Sequence, residues 1–287
     1  MAQDFAEWLE ELRTDRVRGA SELARACLRT AAAQARDASA EDAETLRTLL
    51  HRRAESMRRV RPSMVPIANL LGCWQQRLDK LPDHPLASFR RAAAAAAEAL
   101  ERESREAVAA AARAACRHIG SECTIITHSL SSSVSACLDL LRPQGVRVIV
   151  SESRPLDEGW RLAQRLSSWS VPATLITDAQ LGLFAGQADV ALVGADSLLR
   201  DGSAVNKAGT YLLALACRDR GVPFYVCCES FKWGARDEPE LEEMDPGELG
   251  APAWPGVAVR NIYFDITPAR LIDAWFSEQG QRRTWPG

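Results

Sequence analysis

Residues 194–211, GADSLLRDGSAVNKAGTY, hold an acid (Asp196), an amide (Asn206) and an ammonium group (Lys207) in one short segment. Groups of these types can grip a phosphorylated ligand while the acid exchanges a proton with it. The apolar run Val190-Ala191-Leu192-Val193 comes just before, so Asp196 falls beyond the end of a strand. Asp201-Gly202-Ser203 reads as a turn, and Asn206-Lys207-Ala208-Gly209-Thr210 as the opening of a helix that runs from Lys207 to Arg220. Ligands of open α/β sheets bind at the carboxyl ends of strands, and helix N-termini attract anions.

Other strand ends carry polar groups too. Thr127-His128-Ser129-Leu130-Ser131-Ser132-Ser133 is a hydroxyl-rich loop that can cradle phosphate, or can simply cap a helix. Ser153-Arg154-Pro155 sets an arginine where it can meet a phosphate or carboxylate, or pair with Glu152 or Asp157. Glu229-Ser230-Phe231-Lys232-Trp233 adds a second lysine beyond a later strand. His128 can act as a base or sit as a packed, helix-capping residue. No GxGxxG, GxxxxGKS/T or GxSxG pattern occurs, and no metal-ligand spacing. Dinucleotide binding and P-loop hydrolysis are therefore disfavoured, and neither metal nor cofactor is expected.

Composition bounds the class. With 47% hydrophobic and 25% charged residues, the 287-residue chain reads as an ordinary globular protein large enough for two domains. A net charge of −3 argues against direct nucleic-acid binding. None of the 8 cysteines forms a C-x-x-C pair, which favours buried, reduced thiols over zinc or disulfides. The absence of an apolar leader or a membrane-length apolar run predicts a cytoplasmic protein without membrane contact.

The elements that must position these groups change character near residue 120. Up to that point the sequence is rich in Ala, Arg, Glu and Leu, and its periodicity predicts helices over 21–33, 40–60, 67–81 and 86–116, with Phe5, Leu9 and Leu12 on a further amphipathic face. Pro62 and Pro66 break the pattern between the second and third of these. Beyond residue 122, short apolar runs at 123–127, 146–150, 173–176, 190–193 and 224–228 alternate with helical stretches, including 134–141 and 156–167. That alternation predicts right-handed crossovers and a parallel sheet. The expected fold is α/β: a helical N-terminal domain over 1–118, then a Rossmann-like parallel-sheet domain over 119–287 whose strand ends can bind a ligand. Thr267-Pro268-Ala269 reads as the start of a final helix through Trp275-Phe276, residues from Gln279 onward as a loose tail, and residues 240–248 as an acidic, solvated loop.

These motifs, taken in chain order, resemble one superfamily. Arg61-Pro62-Ser63, Thr127-His128-Ser129, Ser153-Arg154-Pro155-Leu156, the run from Val193 to Tyr211, Val222-Pro223-Phe224-Tyr225-Val226 and Asn261-Ile262-Tyr263-Phe264-Asp265-Ile266-Thr267-Pro268 are similar to motifs shared by three groups. These are the α, β and δ regulatory subunits of translation initiation factor 2B, ribose-1,5-bisphosphate isomerase and methylthioribose-1-phosphate isomerase. The likeness covers roughly residues 60–280 in consistent order.

The resemblance implies a helical domain followed by a Rossmann-like ligand-binding and dimerisation domain, a ligand cleft between the two, and a homodimer or larger homo-oligomer. In the isomerases it implies a cysteine and an aspartate that move protons in a shielded site. Asp196 matches the aspartate, whereas Ser129 stands where the isomerase pattern Thr-His-Cys has its thiol. The other implied contacts to substrate or phosphate are Arg61, Ser63, His128, Ser131, Ser132, Arg154, Asn206, Lys207 and Lys232. A hydroxyl is a far weaker acid than a thiol. The expected function is thus binding of a phosphorylated sugar or nucleotide without isomerase turnover. The alternative is an aldose–ketose isomerase acting on a pentose 1-phosphate through Asp196.

Overall fold

The computed structural model describes residues 5–82, 85–234, 241 and 243–285. The chain divides into two compact units, Met1–Glu106 and Ala107–Gly287.

The first unit contains α1 (Phe5–Thr14), α2 (Ala20–Asp37), α3 (Ala43–Arg58), α4 (Val65–Asp79) and the early turns of α5 (Leu86–Ile119). In α2 the buried residues Leu23, Ala24, Cys27, Leu28 and Ala31 recur every three or four positions, giving one apolar face. Asp42 caps α3 by accepting the Thr45 amide at 2.8 Å. Pro66 lies in the first turn of α4, where its missing N–H costs no intrahelical bond. The fully buried Trp74 donates its indole N–H to the Ala93 carbonyl at 3.0 Å, fixing α4 against α5.

Helix α5 ends at Ile119, close to the change of character at residue 118, but packing divides the chain earlier. Ala111, Ala112, Ala115 and Cys116 on its last turns belong to the core of the second unit.

That unit is built on a seven-stranded sheet of order β10-β9-β7-β4-β1-β2-β3. Its strands are β1 (Thr124–Thr127), β2 (Arg147–Ser151), β3 (Ala173–Ile176), β4 (Val190–Val193), β7 (Phe224–Cys227), β9 (Ala274–Ser277) and β10 (Gly280–Arg282). All pairs are parallel except β9–β10. Successive strand residues point to opposite faces. Ile125 and Val148 therefore pack with Leu138 of α6 (Ser132–Leu141) and Leu162 of α7 (Glu158–Ser168), while Ile126 and Ile149 pack with Leu181 of α8 (Leu181–Phe184) and Leu213 of α9 (Thr210–Arg220). Both faces are covered, as a parallel sheet requires. A second, antiparallel sheet joins β5 (Ser197–Leu198), β6 (Ala204–Lys207) and β8 (Phe264–Thr267).

Three expectations are corrected. Asn206 and Lys207 do not open a helix: they end β6, and α9 starts only at Thr210. Gly209 separates the two at φ +112°, a conformation that breaks a helix and that L side chains rarely adopt. The expected C-terminal helix is instead a short 3₁₀ turn, Ala269–Leu271, followed by β9. All four residues of β9 are buried, which suits a strand flanked on both faces, and the Asp273 carboxylate accepts the Phe224 amide at 2.8 Å beside it. The segment from Gln279 is no loose tail, because β10 pairs with β9. Residues 240 and 242 of the acidic run lie outside the described residues. Its remainder is tied down in part: Glu248 accepts hydrogen bonds from Tyr263 Oη and from Asn261 Nδ2.

Candidate functional site

The polar groups of the second unit gather at the carboxyl ends of β1, β2, β4 and β7. His128 follows β1 and is buried, with both ring nitrogens engaged within the protein. Its Nε2 lies 2.8 Å from the Ala208 carbonyl, which can only accept, so the proton sits on Nε2. Nδ1 then accepts from Ser151 Oγ at 2.5 Å. Burial lowers the imidazole pKa, with the Asp178 carboxylate opposing in part, so the ring stays neutral. A Cβ on Gly209 would lie 2.8 Å from this ring, so the loop between β6 and α9 closes on His128 only because residue 209 is glycine.

Ser129 adopts φ +68° and gives its amide to Ser153 Oγ at 2.8 Å. The Asp178 carboxylate in turn accepts the amides of Ser153 and Arg154, each at 2.8 Å. Ser131 caps α6, leaving Ser132 in the first helical turn. Its hydroxyl occupies the space a Cβ on Gly194 would fill, at 2.3 Å, so the serine loop packs directly over the end of β4. Two cation clusters flank this loop.

Lys207 lies in the first cluster. Its side chain is 5% exposed, its Nζ is 2.8 Å from Glu158 Oε1, and it stands 4.2 Å above the Tyr263 ring. The Glu158 contact engages one carboxylate oxygen, and the other, Glu158 Oε2, has no hydrogen-bond partner. Burial raises the Glu158 pKa even against the pull of Lys207. Asn206 donates through Nδ2 to Thr210 Oγ1 at 3.0 Å and pairs across the small sheet with Asp265. Asp265 Oδ2 accepts the amides of Gly209 and Tyr211 at 2.7 and 3.0 Å, while Oδ1 has no partner.

Lys232 lies in the second cluster, buried, with Nζ 3.9 Å from the fully buried Glu229 carboxylate. Burial alone would lower its pKa, but the charges of Glu229 and Asp196 outweigh that and raise it. Asp196 is half-buried, and its amide donates to the Val205 carbonyl at 2.8 Å, joining the end of β4 to β6. Ser133 Oγ reaches Glu229 at 3.4 Å.

The second unit therefore holds His128, Ser129, Ser131, Ser132, Asp196, Asn206, Lys207 and Lys232 on neighbouring loops and strand ends. Arg154 is exposed and donates to the Leu249 carbonyl at 3.0 Å. Arg61 and Ser63 belong to the first unit, buried in the turn between α3 and α4, where Arg61 Nη1 donates to the Asp15 carbonyl at 3.1 Å. Sequence reasoning missed Glu158, Glu229 and Asp265 as site members. Glu229 was within reach of that reasoning, lying three residues before Lys232 in a polar turn. Glu158 showed no signal, since only the turn after Arg154 sends it toward Lys207.

Asp265 makes the site sensitive to pH. Burial raises its carboxyl from 3.8 to about 6, with the Tyr211 and Gly209 amides opposing. The unfolded chain releases this proton near pH 4 and the folded chain near pH 6. Between those values the folded state binds more protons, so rising pH removes stability, and the loss is complete above about pH 6. A two-unit shift corresponds to roughly 3 kcal/mol. Asp265→Asn keeps an oxygen acceptor for both amides and should gain about that much over the parent protein between pH 3.5 and 7, read by urea denaturation. A pH-independent difference would refute the raised carboxyl.

The family model of the Initiation factor 2 subunit family matches residues 16–284. The chain belongs to that family. A translation initiation factor eIF-2B subunit 2-like protein of Pyrococcus horikoshii is 36% identical over 279 residues, covering 96% of this chain and 94% of the relative. The ribose 1,5-bisphosphate isomerase of Haloterrigena turkmenica is 32% identical over 292 residues, covering 95% and 88%. Among solved structures, the Pyrococcus horikoshii OT3 translation initiation factor eIF-2B superposes with a TM-score of 0.84 at 32% identity, covering 99% of this chain and 98% of that one. This family member thus shares its fold with that initiation factor and is similar in sequence to the isomerase. Among the described residues no helix is long and apolar enough to cross a membrane.

Proposed function

We propose that this initiation factor 2 family member binds a phosphorylated sugar or nucleotide at the carboxyl ends of β1, β2, β4 and β7 and does not isomerise it. The observation that carries this reading is Lys207: a buried ammonium whose one anionic contact is Glu158 Oε1 at 2.8 Å, so two of its three protons are left for a ligand, beside a Glu158 Oε2 with no hydrogen-bond partner. Buried polar atoms left without partners are rare, because each forfeits its hydration. A phosphate oxygen satisfies the lysine, and a sugar hydroxyl satisfies the carboxylate. Lys232 and the amides opening α6 add positive potential on the other side of the serine loop. Arg154, and Arg61 with Ser63, are assigned to the phosphate side on the family resemblance.

The absence of turnover rests on Ser129. Its hydroxyl stands at the position of the isomerase thiol and holds its proton far too tightly to exchange it at neutral pH. Cys123 and Cys137 offer no replacement: burial raises the Cys123 thiol, and the bond to Cys116 raises that of Cys137. Asp196, paired in charge with Lys232, is left to orient a ligand hydroxyl. The functional unit in this reading is a homodimer or larger homo-oligomer.

Thermal unfolding against a panel of pentose phosphates and nucleoside monophosphates tests binding. At ligand one hundred times Kd, linkage adds about 2.7 kcal/mol. A rise in melting temperature of several degrees is expected for at least one member of the panel, and no shift at millimolar ligand removes the proposal. Proton NMR in deuterated water with ribose 1,5-bisphosphate tests turnover. Ketose formed by the parent protein and lost in Asp196→Asn would establish the isomerase instead. An inactive parent that gains ketose formation with Ser129→Cys supports the missing thiol as the cause.

A further inference from the structure

Two of the eight cysteines touch. Cys116, on the last turns of α5, and Cys137, in α6, place their sulfurs 3.0 Å apart in the core of the second unit. Cys116 Sγ also lies 3.2 Å from the Cys137 carbonyl, which holds the first sulfur against the backbone of the second residue. A disulfide needs about 2.0 Å between sulfurs. Closing the gap therefore takes about one ångström of approach between the two sulfurs.

We infer that Cys116 and Cys137 form a redox-active dithiol, oxidised by hydrogen peroxide to a disulfide that staples the end of α5 to α6. Cys116 is the entry point, because it retains 9% of its surface whereas Cys137 has none, and peroxide is small enough to use that opening. The hydrogen bond from Cys137 also lowers the Cys116 pKa, favouring the thiolate that reacts. The Cys116 thiolate attacks one peroxide oxygen and the O–O bond breaks. Cys116 sulfenic acid forms, and the departing hydroxide takes up the proton the thiol had released, leaving as water. Cys137 sulfur then attacks the sulfenic sulfur: the S–S bond forms, the S–O bond breaks, and the second oxygen leaves as water with the Cys137 proton. Two thiols lose two electrons, and one peroxide becomes two waters.

The bond would act on the candidate site through one helix. Helix α6 starts at Ser132, in the serine loop, and Cys137 lies within it. The inference does not depend on what that loop binds.

The test uses the full-length parent protein treated with hydrogen peroxide, then denatured, alkylated and digested. The expected result is a linked peptide pair joining Cys116 to Cys137, with Cys27, Cys217 and Cys228 still alkylated and full reversal by dithiothreitol. In Cys137→Ser the same treatment should leave a Cys116 sulfenic acid that dimedone traps, which the parent protein does not accumulate. Two results overturn the proposal: both thiols still free after treatment, or a dimedone adduct on Cys116 in the parent at the level of the variant. If Cys137→Ser fails to fold, the linked peptide in the parent still decides the question.

Discussion

Gly159→Ala is expected to unfold the second unit or to leave it barely stable. A Cβ at this position would sit 1.7 Å from the Ser151 carbonyl oxygen and 2.8 Å from its carbon, with the Glu152 carbonyl carbon at 3.0 Å. All three are backbone atoms at the end of β2, so no side chain can swing aside. Either α7 lifts off the sheet or the strand end bends, and clashes of this kind reach roughly 4 kcal/mol or more. The displacement would also carry Glu158, the preceding residue, away from Lys207. Gly72→Ala is the matched control: it lies within α4, meets nothing within 4 Å, and should gain about 0.5–1 kcal/mol from helix propensity. Urea denaturation of both variants reads the contrast. A Gly159→Ala protein as stable as its parent would mean that α7 does not pack as closely as described.

The second large effect is expected from Lys207→Met. The substitution keeps the length of the side chain but strips the Glu158 carboxylate, 14% exposed, of its ion-pair partner, leaving only the weaker pull of Arg161. Stranding one member of a buried ion pair costs about 3–5 kcal/mol. Glu158 can escape by keeping a proton, and its pKa is raised even with Lys207 in place. A carboxyl with a raised folded pKa costs stability as pH climbs past its unfolded value. The loss in Lys207→Met should therefore be small near pH 4 and full near pH 8. Adding Glu158→Gln should restore most of it, since a neutral amide needs no cation. If the single variant loses as much at pH 4 as at pH 8, charge is not the cause. On the proposed function, the single and double variants should both lose the ligand-induced rise in melting temperature, which separates binding from folding.

The sequence revealed the sheet far better than the ends of its loops. Residues 173–176 and 190–193 form strands at the bounds their sequence predicts, but only 190–193 is the buried central strand that an apolar run suits best; 173–176 lies at the sheet edge with Ile176 alone buried. Asn206 and Lys207 were misread because Ala-Gly-Thr after them looks like a helix start. That pattern belongs to Gly209 and Thr210, and the pairing with β8, contributed by residues far along the chain, claims the earlier ones. The strand at Trp275-Phe276 was hidden for a similar reason: proline at 268 suggested a helix, while burial on both sides decides for a strand. Motifs mark the strand-end loops that carry Asp196, Lys207 and Lys232 of the candidate site. Glu158 and Asp265 were not legible as members, because what makes each notable is burial beside a group distant in sequence.

The hydrogen bond from His128 to Ala208 spans 80 residues of chain. Loops of that length are costly to close, and contacts of high sequence separation form late in folding. The serine loop and the loop before α9 therefore acquire their final shape together, only after the strands between them have docked. A fragment that ends before Ala208 keeps the Ser151 contact of the His128 ring at Nδ1 but leaves Nε2 without its acceptor. The candidate site is a product of the completed topology, so it cannot serve as a nucleus from which that topology grows.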